Sequence, residues 1–210
     1  VVVHLAAQAD VGASIRDPEF DWSVNVEGSR SVFRAARSAG ARLVLAASSA
    51  AVYGEPAEVP LRETAALRPE NPYGRSKLAM EGVLTEELGD SATDFAAFRF
   101  SNVYGPRQSW RGEGGVVAIF VHQMIAGEAP TIFGTGEQTR DFIYAGDIVA
   151  AILAAMDSPA PLRGTAEEAA ASGVAHAYNI STGVQTSVNE LAGILRAAVP
   201  YLGPIDTAKA

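Results

Sequence analysis

Short unbroken apolar runs along the chain alternate with stretches in which apolar residues recur every three or four positions. Val1 to Leu5 is a β-branched run followed by the small residues Ala6 and Ala7, the pattern of a strand buried on both faces. From Phe20 to Ser38 the positions Trp22, Val26, Ser29, Val32, Phe33 and Ala36 mark one face of a helix closed by Gly40. Leu43 to Ala47 predicts a second buried strand, delivering Ser48 and Ser49 to its carboxyl end. A helix is expected from Tyr73 to about Leu88, stopped at Gly89, and a third strand from Asp94 to Phe100, ended by Ser101 and Asn102. Further elements are a helix from Val116 to Ala126, a strand from Thr131 to Phe133, a helix from Asp147 to Met156 and a strand from Ala177 to Ser181. Ser187-Val188-Asn189-Glu190 fits a capping box ahead of a helix to about Val199. Residues 158–175 are rich in Pro, Ala and Glu and are expected to form a mobile loop. Strand and helix alternate, and right-handed crossovers then make an α/β doubly wound parallel sheet the expected fold.

Composition narrows the function classes. The 210 residues can bury a full core, and a formal charge of −8 argues against a general nucleic-acid or anionic-membrane binder. An anionic ligand must then be caught by a few local groups. There is no cysteine, hence no disulfide, thiolate metal site or cysteine nucleophile. His4, His122 and His176 match no metal-ligand spacing, so no metal is expected. No apolar run reaches spanning length, and a cytoplasmic protein with no membrane partner is the expectation.

Asn71-Pro72-Tyr73-Gly74-Arg75-Ser76-Lys77 carries the most suggestive chemistry. It sets a phenol and an ammonium four residues apart where a helix begins, hence on one face. A cation beside a phenol favours the phenolate, which suits Tyr73 to act as a base. The sequence has fourteen arginines and only two lysines, Lys77 and Lys209, so lysine at this position stands out. An ordinary exposed helix start would show the same short pattern. Gly134-Thr135-Gly136 is a tight turn rather than a phosphate loop, since no third glycine follows at the required spacing. Arg140 beside Asp141 is either a surface ion pair or an anion ligand.

Taken together, His4-Leu5-Ala6-Ala7, Asn25, Ser48-Ser49-Ala50-Ala51-Val52-Tyr53-Gly54, Tyr73-Gly74-x-Ser76-Lys77, Arg99-Phe100-x-Asn102-Val103-Tyr104-Gly105-Pro106-Arg107, Arg140-Asp141-Phe142-Ile143 and Tyr178-Asn179-Ile180-x-x-Gly183 stand in a telling order. In this order they resemble the extended short-chain dehydrogenase/reductases. The resemblance runs from Val1 to about Val199 and is greatest to the NAD-dependent nucleotide-sugar epimerase/dehydratase branch, within it to UDP-glucose 4-epimerases.

The resemblance implies roles. Tyr73 is expected to be the base for a sugar hydroxyl, Lys77 to support it and bond the nicotinamide ribose, and Ser49 to hydrogen-bond the reacting oxygen. Ala6, Ala7, Asn25 and Ser48, with Tyr73 and Lys77, are expected to line NAD. Ser49, Asn102 and Arg140 are expected to hold the nucleotide sugar. It implies a Rossmann-like domain of residues 1–104, 142–157 and 176–183, and a smaller C-terminal substrate lobe of 105–141 and 184–210. A homodimer through helices 22–38 and 73–88 follows from the same likeness. The family's glycine-rich fingerprint and ribose-reading acid have no counterpart here, so the sheet is expected to lack its first strands. The chain is then an internal stretch of a longer protein, inactive alone. Dehydratases of this branch carry an Asp-Glu pair where this chain has Ala50 and Ala51, which favours C4 epimerisation over elimination. A non-catalytic dinucleotide sensor on the same fold is the remaining alternative.

Overall fold

The computed structural model describes residues 1–55, 58–111, 115–162 and 176–208. They fall into two compact units, Val1–Phe100 with Val149–Ile180, and Ser101–Ile148 with Ser181–Ala210.

The first unit is built on a four-stranded parallel sheet. Numbered along the whole chain, its strands are β1 (Val2–His4), β2 (Leu43–Ser49), β3 (Asp94–Phe100) and β8 (Ala177–Ile180), side by side in that order. Val44 lies opposite Val2 on one side and Phe95 on the other, and Ser49 opposite Phe100. Because strand side chains alternate faces, β2 and β3 feed two cores. Val44, Ala46, Phe95 and Ala97 pack with Val26, Phe33, Met80, Leu84 and Leu88 on one face. Leu43, Leu45, Ala96 and Phe98 pack with Ile152, Ala155 and Met156 on the other. Burial on both faces is why these strands are continuously apolar, as a doubly wound sheet requires.

The helix from residue 20 to 38 is more complex than its periodicity suggests. It begins as α2 (Pro18–Trp22), passes through a π-helical stretch from Ser23 to Gly28, and continues as α3 (Ser29–Ser38). A π turn adds a residue and so rotates the buried stripe. Trp22, expected on the buried face, is exposed, while Asp21 and Asn25 are buried. A short α1 (Val11–Arg16), capped by Asp10, precedes it and was not expected. Asp17 caps α2 in the same way, with Pro18 at its first position.

Helix α3 lies beside α4 (Pro72–Leu88). Arg30 and Arg34 both donate to Glu87, and Arg37 donates to Asp90. The arginines at the end of α3 thus serve a neighbouring helix as well as the dipole of their own. Inside, Arg99 of β3 makes a bidentate pair with Glu81 of α4, at 3.0 and 2.7 Å. Its Nη1 donates to the Tyr53 hydroxyl, which donates to Asn179 of β8. Loss of one partner from such a buried pair costs about 3–5 kcal/mol, because the other charge is left unpaired.

The second unit holds three two-stranded ladders. β4 (Asn102–Tyr104) pairs with β7 (Phe142–Tyr144), β5 (Thr131–Phe133) with β10 (Asp206–Ala208), and β6 (Thr139–Arg140) with β9 (Thr186–Ser187). Phe120 of α5 (Val116–Ala126), Ile132, and Val188 and Ala192 of α7 (Val188–Ala198) form its core. Both bonds of the Ser187/Glu190 capping box are present. Gly134 and Gly136 take positive φ in the expected turn. Residues 101–104 and 142–148, expected with the first domain, belong to the second unit because β4 and β7 pair with each other. The helix α6 (Ala145–Met156) starts in the second unit and ends in the first. Of the loop expected over 158–175, residues 163–175 lie outside the described residues. No helix of the described residues is long and apolar enough to cross a membrane.

Candidate active site

Asn71 caps α4 by accepting from the Gly74 amide, and Pro72 occupies the first turn. These signals fix where the helix starts and therefore where Tyr73 and Lys77 point. Gly74 has a further role, since a Cβ there would lie 2.6 Å from the Ala51 carbonyl oxygen. Its absence lets the first turn of α4 approach the segment after β2.

Lys77 points inward. It is 4% exposed, its Nζ donates to the Ala47 carbonyl of β2 at 3.0 Å, and it sits 5.9 Å from the centroid of the Tyr73 ring. Burial pulls its pKa from 10.5 down to about 8, against the fields of Asp21 and Glu81, which raise it. His4, on β1, is lowered by burial and then by the Lys77 charge. Tyr53 is the other tyrosine at this end of the sheet. Burial pushes its phenol upward and its oxygen is committed to Arg99 and Asn179, which argues against Tyr53 as a base.

A polar network fixes the start of α4 from behind. The Tyr73 amide donates to Ser14 of α1, and Ser76 donates to the Tyr73 carbonyl. Asn25 is 1% exposed and its side chain is fully engaged. Its Oδ1 accepts from the Gln8 amide, and its Nδ2 donates to the Gln8 carbonyl, to Asp21 and to Ser76. Asn25 therefore shapes the backbone just after Ala6 and Ala7, which are exposed and half-buried, while its own side chain is turned to protein. Its expected contact with a cofactor becomes a positioning one. Gln8, Ser14, Asp21 and Ser76 escaped notice in the sequence, although Asp21 and Asn25 share the four-residue spacing of one helix face.

The two serines ending β2 part company. Ser48 is 3% exposed and its hydroxyl donates to Glu81 inside the unit. Strand alternation turns that side chain to the core, so the expected cofactor contact of Ser48 is open only to its backbone. Ser49 is half-buried, and its oxygen accepts from the Ala51 amide at 3.2 Å, which leaves its O–H to donate.

In the second unit, Asn102 and Arg140 flank Asp141. The Asn102 amide and side chain both donate to the Asp141 carbonyl, while Arg140 is exposed and donates to Thr139. The Asp141 carboxylate is bonded by Ser101, Thr182 and Gly183, not by Arg140. Among the described residues Arg140 forms no ion pair. Of the two readings of Arg140, the surface pair with Asp141 is thereby removed. A cleft of about 400 Å³ in this unit is lined by Tyr104, Gln108, Trp110 and His122 and includes neither Asn102 nor Arg140.

A buried ammonium under a helix-start tyrosine, beside a strand ending in serine, is the arrangement expected of the family that the sequence resembles. The sequence profile of the NAD dependent epimerase/dehydratase family matches residues 1–181. The chain belongs to this family. UDP-glucose 4-epimerase of Mycolicibacterium smegmatis is 40% identical over 200 residues, covering 95% of this chain and 60% of that protein. The crystal structure of Thermotoga maritima UDP-glucose 4-epimerase with UDP-glucose has a TM-score of 0.88 at 36% identity, covering 99% of this chain and 63% of that one. Thermus thermophilus UDP-glucose 4-epimerase in complex with NAD gives 0.85 at 32% identity, covering 99% and 64%. The chain thus spans about three fifths of the length of the relatives it matches.

For this member of the epimerase/dehydratase family, the lowered Lys77 makes a stability prediction. Between pH 8 and 10.5 the unfolded chain holds a proton that the folded one has released. Stability therefore rises with pH across that window, and below it the folded protein bears the full cost of the buried charge. Lys77→Met should flatten this rise between pH 8 and 10.5 in urea denaturation. An unchanged rise in Lys77→Met would show that another group causes it.

Proposed function

We propose that the protein is an NAD-dependent epimerase acting at C4 of a nucleotide sugar, of the UDP-glucose/UDP-galactose kind, through a transient 4-keto sugar. The placement of Lys77 carries the reading: a costly buried ammonium, 5.9 Å from the Tyr73 ring, is bonded to the strand that ends in Ser49. Tyr73 takes the proton from the C4 hydroxyl and returns it, and the adjacent cation stabilises the negative charge that develops on the phenol oxygen. Ser49 donates its hydroxyl hydrogen to the same sugar oxygen. Bound NAD would accept a hydride from the sugar carbon and give it back.

The residues present fit that cofactor. An ammonium has three donors and Ala47 takes one, so two remain for the paired hydroxyls of a ribose. Ala6 and Ala7 offer backbone without bulk at the end of β1. Arg140, with no acid of its own, supplies charge-assisted bonds to a diphosphate, and Asn102 offers its amide. Ala50 and Ala51 provide no acid or base for eliminating water, which favours epimerisation over dehydration.

The reading includes a cytoplasmic homodimer. Helices 22–38 and 73–88 pack side by side in the protomer, and two such pairs across a two-fold axis make a four-helix contact, isologous interfaces being the commonest kind. Sedimentation at micromolar concentration should show a dimer; a monomer would remove this part of the reading. Tyr73→Phe tests the chemistry. It should lower turnover on the order of 10²-fold or more while leaving UDP-sugar binding by calorimetry largely intact. Turnover near that of the parent would exclude Tyr73 as the base.

A further inference from the structure

Asp21 is a buried carboxylate that no step above uses. It lies on α2 at 1% exposure. Its Oδ1 accepts from Gln8 Nε2 at 2.8 Å and from Asn25 Nδ2 at 3.1 Å, but its Oδ2 is buried with no hydrogen-bond partner among the described residues. A buried polar atom left unpaired is costly and rare, and a buried carboxylate needs a compensating charge. Asn25 Nδ2 links Asp21 Oδ1 to Ser76, the residue before Lys77, so Asp21 faces the start of α4 where the ammonium is buried.

The charged and titratable groups around Lys77 are few. His4 comes from β1, Asp21 from α2, Tyr73 and Glu81 from α4, with Arg99 of β3 reaching it through Glu81. Glu81 is spent: its Oε1 accepts from Arg99 and Ser48 and its Oε2 from Arg99. Its charge is largely cancelled by the guanidinium. The hydrogen-bond partners of Asp21 are neutral amides, and its field is the foremost of those that hold Lys77 up against burial.

We propose that Asp21 is the counter-ion of Lys77, a positioning residue that keeps the ammonium charged beneath Tyr73 without touching substrate or cofactor. It does so across a polar network instead of through a direct salt bridge, which leaves the donors of the ammonium free for a ligand. The same carboxylate steadies Gln8, so one group serves both the cation and the backbone after β1. Its consequence for turnover rests on the reading of Lys77 given under Proposed function; its effect on the ammonium does not.

The test is a carbon-13 titration of the lysine Cε resonances. The sequence has only Lys77 and Lys209, and Lys77→Arg identifies the signal. In Asp21→Asn the Lys77 midpoint should fall by about one unit or more. In Ser76→Ala, which breaks the network and keeps every charge, it should stay in place. Equal midpoints in the parent and Asp21→Asn would overturn the proposal, as would an equal fall in Ser76→Ala. If Asp21→Asn does not fold, the Asp21 Cγ resonance of the parent protein decides. It should inflect at the Lys77 midpoint, and a flat trace there overturns the proposal. The alkaline limb of the pH–turnover profile should move down with the Lys77 signal. If the signal moves and the limb does not, the counter-ion stands and the part assigned to Lys77 in the reaction fails.

Discussion

The first unit is organised around one costly interaction, the burial of the Lys77 ammonium between a helix start and a strand end. Lys77 gives up hydration and receives the Ala47 carbonyl at 3.0 Å together with the fields of Asp21 and Glu81. Hydration loss still dominates, which is why the pKa falls from 10.5 to about 8. The proposed function gives that expense a use beside Tyr73. Much of the surrounding structure serves to keep it in register. Asn71 and Pro72 set the helix start, Gly74 lets it approach Ala51, and Ser14, Ser76 and Asn25 tie its first turn to the loop after β1.

A second buried charge pair holds the sheet in the geometry this requires. Glu81, one turn beyond Lys77, clamps α4 to β3 through Arg99, and Arg99 reaches Tyr53 and through it Asn179 on β8. Ser48 joins the same cluster, so β2, β3, β8 and α4 share one network at the carboxyl end of the sheet. Ser49, the next residue, faces the other way. The strand that commits one serine to the interior thereby leaves the other half-buried on the opposite side, a consequence of the two-residue repeat alone.

The parallel sheet was legible in the sequence because its central strands β2 and β3 are buried on both faces and so appear as apolar runs, whereas β1, expected to be buried in the same way, is an edge strand with Val3 exposed. Tyr73 and Lys77 were legible because the cap, the proline and the four-residue spacing are local signals. Less was visible where the local rule is broken. The π-helical residues 23–28 rotate the buried stripe, so Trp22 was expected inside and Asp21 was overlooked. Ser48 and Asn25 were assigned cofactor contacts from the resemblance, whereas their side-chain bonds run to Glu81 and Gln8, partners set by tertiary packing. The pairing of β4 with β7, and so the boundary at Phe100, depends on residues forty apart that no window of sequence joins.

Ala50 and Ala51 give the account its sharpest chemical consequence. Without an acid and a base after Ser49, the proposed reaction is the oxidation and re-reduction of one carbon. The most direct measurement is the fate of deuterium at C4 of UDP-[4-²H]glucose, followed by NMR with the protein. The account predicts UDP-galactose with the label retained at C4. Loss of label to water, or its transfer to C6 with release of water, would contradict it.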